Sequence, residues 1–171
     1  WKLIGTEEAT SAVASLTITG LSSTYDTYAI VGSDLVPATD GQAAWLRVGD
    51  SGGVDSGTDY AYHRSTLTGA SASSFAGSDS TGDSAIKFSG GVGSAAGEGV
   101  HFTFFINRPG DGTTQPLLQG TYIINGQSTT FAGGTVFGQR TAVITLDRIQ
   151  FLFGSGDVAS GRLSVFGIAH T

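Results

Sequence analysis

The chain has no cysteine. Disulfide bridges, a thiolate nucleophile and a cysteine-based zinc site are therefore excluded, and stability must come from packing or from association between copies. Charge is also scarce, at 13% of residues, about half the usual share. The cations Lys2, Arg47, Arg64, Lys87, Arg108, Arg140, Arg148 and Arg162 are scattered, and the net charge is −6 with a pI near 4.7. With no basic patch, nucleic acid and anionic membrane surfaces are not expected as partners. No apolar run approaches the roughly 20 residues that span a bilayer, so membrane insertion is not expected either. The opening WKLIGTEEAT lacks the basic, apolar, small-residue order of a signal peptide, and a start at Trp1 without Met leads us to expect further sequence upstream.

What the chain has in abundance is strand and turn chemistry. Its 171 residues include 27 glycines, and its polar surface falls to Ser, Thr and Gly rather than to Lys and Glu. Such a composition makes poor helices and good strands and turns. The length fits one domain, residues 1–171, with residues 1–11 expected as an N-terminal arm or linker. Turn signals recur about every 8–12 residues and divide the chain into about ten strands, the rhythm of an all-β antiparallel β-sandwich of jelly-roll type.

Strands are expected over residues 12–19, 27–33, 42–48, 58–67, 85–89, 99–106, 116–125 and 128–137. In 42–48, Ala44, Leu46 and Val48 share one face; in 58–67, Tyr60 and Tyr62 do. Asn125-Gly126 is the strongest hairpin signal, and the small, polar stretch 68–82 is expected as a surface excursion. In the closing segment, two apolar runs, 142–153 and 162–168, flank GSGDVASG and predict a hairpin in the middle of the fold. A change of side-chain parity at Asp147-Arg148 calls for a bulge or bend.

Chemical motifs are thin. Gly49-Asp50-Ser51-Gly52-Gly53 spells the string around the nucleophile of trypsin-like proteases, but His63, His101 and His170 all follow Ser51, the reverse of that family's order. Gly82-Asp83-Ser84 opens onto a strand where an esterase of that motif would have a helix, and Gly91 to Gly97 has no helix after it to bind a dinucleotide. The histidines have no metal-ligand spacing, and only Glu7, Glu8 and Glu98 supply glutamates. No enzyme is expected, and no cofactor. Asp50, Asp55 and Asp59 leave Ca²⁺ as the one metal worth testing. Trp45, Tyr60 and Tyr62, with Asp55 and Asp59, form the candidate ligand site, an aromatic platform for a sugar ring with carboxylates for its hydroxyls.

Two stretches carry a resemblance. Thr19-Gly20-Leu21, Ser23-Thr24-Tyr25-Asp26-Thr27-Tyr28 and Pro37-Ala38-Thr39-Asp40-Gly41 near the start, with Ser160-Gly161 and Phe166-Gly167-Ile168 near the end, resemble structural proteins of tailed bacteriophages. The resemblance implies a β-sandwich virion module, a fibre domain, receptor-binding tip or capsid decoration protein, assembled as a homotrimer in the bacterial cytoplasm. Its implied partners are itself, other virion proteins and host surface polysaccharide. A stand-alone carbohydrate-binding module or lectin-like domain is the alternative.

Overall fold

The computed structural model describes residues 1–68, 74–107, 109–127 and 130–169. It contains β1 (Lys2–Ala9), β2 (Leu16–Thr19), β3 (Thr27–Pro37), β4 (Gln42–Asp50), β5 (Gly53–Val54), β6 (Tyr60–Thr68), β7 (Ser74–Asp83), β8 (Ile86–Val92), β9 (Gly99–Asn107), β10 (Leu117–Gly126), β11 (Thr130–Arg140), β12 (Arg148–Phe153) and β13 (Val158–Ile168). All pairings are antiparallel, and there is no α-helix among the described residues. The all-β sandwich expected from composition is the observed class, with thirteen strands among the described residues instead of about ten.

The strands form two layers. The larger runs β1-β13-β3-β9-β10-β11-β6-β7, and the smaller runs β8-β4-β12-β2, with the short β5 continuing the edge of β4 beyond β8. One backbone bridge, Gly126 to Val92, joins the layers at β10 and β8. On the opposite side Val13 bridges to Val158, and Ile18 of β2 packs so close to Gly5 of β1 that a β-carbon there would lie 2.9 Å away. The sandwich is thus nearly closed, like a flattened barrel.

Alternation fills the space between the layers. Ala44, Leu46 and Val48 of β4 and Ile149, Phe151 and Phe153 of β12 are buried, facing Ile30, Phe102, Phe104 and Tyr122 of the larger layer. Phe88 of β8 is the hub: its ring centroid lies 5.0 Å from both Phe102 and Phe104 and 5.9 Å from Tyr122. Edge-to-face contacts of this kind add to the area buried. At the β4–β8 bulge, buried Ser89 accepts a hydrogen bond from the Ala44 amide and donates to the Gly90 carbonyl, so the interrupted ladder stays satisfied.

Several expectations are corrected. β12 and β13 do not pair as a closing hairpin: β12 lies between β4 and β2, and β13 between β1 and β3, in opposite layers. Residues 142–147 are irregular, which explains the parity change, because buried Ile144 and Leu146 precede the strand rather than belong to it. Lys2–Ala9 is the edge strand β1, not a detached arm. The stretch 68–82 is mostly strand, with β7 pairing along β6; residues 69–73 within it lie outside the described residues. The β10–β11 hairpin forms, but Asn125 and Gly126 pair with Phe131 and Thr130 and so precede the reversal. Residues 128 and 129, at the start of the expected strand 128–137, Arg108 and His170 are also outside the described residues.

Candidate functional site

The residues singled out as a sugar platform do not form one open face: Tyr60, Asp55 and Asp59 gather around Arg140, and Trp45 and Tyr62 around Lys87 and Asp83. Tyr60 is fully buried, its hydroxyl accepting from the Val48 amide at 3.0 Å and donating to the Asp55 carbonyl at 2.9 Å. Burial pushes the Tyr60 hydroxyl pKa up to about 12. Its ring therefore offers no face to a ligand. Asp55 lies 2.6 Å from Arg140 Nε, and Asp59 lies 3.7 Å from Arg140 Nη2. Burial would raise the Asp55 carboxyl, but the Gly57 amide and the Arg140 guanidinium outweigh it and hold the carboxyl below its ordinary value. These two carboxylates clamp the end of β11 onto the β5–β6 loop. Asp50 accepts from the Gly52 amide, and no group of three or more His, Asp or Glu side chains gathers as a metal would need among the described residues.

Trp45 and Tyr62 meet only through intermediaries. Lys87 Nζ sits 4.7 Å above the Trp45 ring and 2.8 Å from Asp83, and the Tyr62 hydroxyl donates to Asp83 at 3.4 Å. Trp45 Nε1 is buried without a hydrogen-bond partner among the described residues. The ammonium covers the indole face a sugar would need. Neither Ser51 nor Ser84 hydrogen-bonds a histidine among the described residues; His101 instead pairs with Asp34 at 3.2 Å.

The outer face of the larger layer is a different matter. Residues directly opposite in an antiparallel pair share a face, so the registers trace whole rungs across the sheet. One rung crosses all eight strands: Leu3, Phe166, Ala29, Phe105, Gln119, Phe137, His63 and Asp79. The next outward rung is almost wholly small or hydroxylated: Thr6, Ser164, Val31, Thr103, Thr121, Thr135, Ser65 and Gly77. Ser65 and Thr135 hydrogen-bond within it at 2.8 Å, and Thr6 and Ser164 at 3.0 Å. Beyond lie His101, Ile123, Gly133 and Leu67.

Exposure concentrates on this face. Of the eight large apolar side chains that are exposed among the described residues, seven lie on it: Trp1, Leu3, Leu67, Leu117, Ile123, Phe131 and Phe137; the eighth, Val143, is in the β11–β12 connection. At one end Trp1 folds back over Phe105 and Phe166, with ring centroids 6.3 and 5.9 Å away. At the other, Phe137 stands 55% exposed. Beside it opens a groove of about 480 Å³ whose walls include Gln119, Gln139, Asn107, His63, Asp79 and Leu117. Apart from His63, weighed only as a catalytic or metal-binding histidine, none of these residues stood out in the sequence. The available signal was apolar residues of both parities in β10 and β11, Leu117 with Leu118 and Val136 with Phe137, which marks a strand with two apolar faces.

No family model matches the chain, and no curated protein matches it. Among solved structures, it is similar to the CBM2 module of the evolved Dit of Lactobacillus casei BL23 phage J-1. The identity is 9% over 92% of this chain and 70% of that chain, with a TM-score of 0.17. A likeness that slight carries no argument about fold or function.

Proposed function

We propose that this chain is a non-enzymatic structural module of a tailed-bacteriophage virion, displayed on head or tail, whose outer sheet face meets other copies of itself in a homotrimer. One observation carries the reading: of the eight large apolar side chains exposed among the described residues, seven share one sheet face. Monomeric proteins rarely leave large contiguous apolar patches in water, whereas contact surfaces do. Leu67 and Ile123 lie four residues along the strands from the Phe137 rung and Phe131 six, roughly 13 and 20 Å at about 3.3 Å per residue, and the three are the proposed centre of contact between copies.

The phage assignment draws on the resemblance, whose two parts pack together. β3 pairs with β13 along nearly their whole length, and Tyr25 lies against Gly167. The Tyr28 hydroxyl accepts from the Ser22 amide and donates to the Ser22 carbonyl, fixing the Ser-Ser-Thr-Tyr-Asp turn. Light scattering on the purified chain tests the reading. A mass near three times 17.4 kDa supports it, and a monomer across the accessible concentration range overturns the self-association.

A further inference from the structure

We infer that the groove beside Phe137 is a binding site for a neutral saccharide. The inference rests on the reading of the outer sheet face as a contact surface, and it names the ligand class for the end of that face away from the proposed contact between copies.

Phe137 supplies a half-exposed aromatic ring in mid-sheet, with Gln119 directly across on β10 and His63 directly across on β6. Gln139 and Asn107 also line the groove. The side chains of Gln119, Gln139, Asn107 and His63 have no hydrogen-bond partner among the described residues. Three amides and an imidazole thus surround an open ring, presenting both donors and acceptors toward the groove. An aromatic face flanked by free amides matches a pyranose, which has a C–H-rich face to stack and a rim of hydroxyls that both donate and accept.

Charge selects among sugars. Among the described residues that line the groove, Asp79 is the only Asp, Glu, Lys or Arg, and the chain's net charge is −6. An acidic sugar or a phosphate would meet the Asp79 carboxylate and no Lys or Arg among the described lining residues. A volume of about 480 Å³ falls within the roughly 300–1,000 Å³ of small-ligand sites.

The test is titration of the full chain with neutral oligosaccharides of glucose, galactose and N-acetylglucosamine, followed by calorimetry and by amide NMR shifts, with N-acetylneuraminic acid as the acidic control. Saturable binding by at least one neutral member, with shifts centred on Gln119, Phe137 and His63, is expected. Phe137→Ala should weaken it at least tenfold, and the paired surface substitution Gln119→Leu with Gln139→Leu should do the same without touching the ring. Binding by no neutral member, equal binding of the acidic sugar, or binding unchanged in both variants overturns the inference. Solution mass measured on the same samples separates the two readings: a trimer that binds no sugar removes only the saccharide site, and a monomer that binds sugar removes only the self-association.

Discussion

Tyr25 packs over Gly167 so closely that a β-carbon on residue 167 would stand 2.4 Å from its ring. The two stretches that carry the phage resemblance are therefore one structural unit: the first sends Tyr25 across the end of β13, and the second provides a position without a side chain to receive it. Tyr25 also meets Tyr28 edge to face, with centroids 5.5 Å apart, so a displaced Tyr25 would disturb a buried neighbour. Gly167→Ala is expected to destabilise the chain by about 1–3 kcal/mol, the usual cost of forcing an extra methyl into a packed site. Thermal unfolding measures it; for this length each kcal/mol should appear as roughly 2–4 °C in Tm.

Tyr60 closes a gap in the smaller layer. β8 pairs with β4 as far as Leu46 and β5 begins pairing at Gly49, so the Val48 peptide groups fall between two partners. The Tyr60 hydroxyl takes the Val48 amide, while the Asp55 amide donates to the Val48 carbonyl at 2.9 Å. Tyr60→Phe keeps the ring and removes the acceptor, leaving a buried amide unpaired, at an expected cost of about 1–3 kcal/mol by chemical denaturation. A loss near zero would mean that water replaces the hydroxyl.

Acid should weaken the fold through Asp55 and Asp83. For Asp83, burial raises the carboxyl, but Lys87 and the Ser84 amide outweigh it and hold it below its ordinary value, as Arg140 and the Gly57 amide do for Asp55. The unfolded chain then binds protons more readily than the folded one. The stabilisation is fully present above the unfolded carboxyl value, about 3.9, and is lost as pH falls through the lower folded values. Arg140→Gln should flatten part of this acid limb. Its cost at neutral pH should lie between the roughly 0–1 kcal/mol of a surface pair and the roughly 3–5 kcal/mol of breaking a buried one. Denaturation midpoints from pH 7 to pH 3 for both chains provide the check.

Periodicity made the core strands legible. Ala44, Leu46 and Val48 alternate with polar or half-exposed residues, and their burial follows. Layer assignment was not legible, because GSGDVASG signals a change of direction without saying which layer receives the returning strand. Here Val158 pairs with Pro37 and Val13, and those distant partners place β13. β7 was missed because its Ser, Gly and Asp residues give no strand pattern of their own; its register comes from β6. Tyr60 and Tyr62 were assigned to one face, and they share it, but alternation does not report depth. That shared face is the inner one, which turns Tyr60 from a ligand platform into a core residue.

The contact face itself is tested most directly by the solution mass of Ile123→Asp combined with Phe131→Asp, measured beside the unchanged chain. Both side chains are exposed, Phe131 at 61%, so the substitutions should leave the fold intact by circular dichroism while placing two carboxylates in the proposed contact. The unchanged chain should be a trimer and the variant a monomer of 17.4 kDa. A folded variant that remains a trimer would contradict it, because the copies would then meet through some other surface.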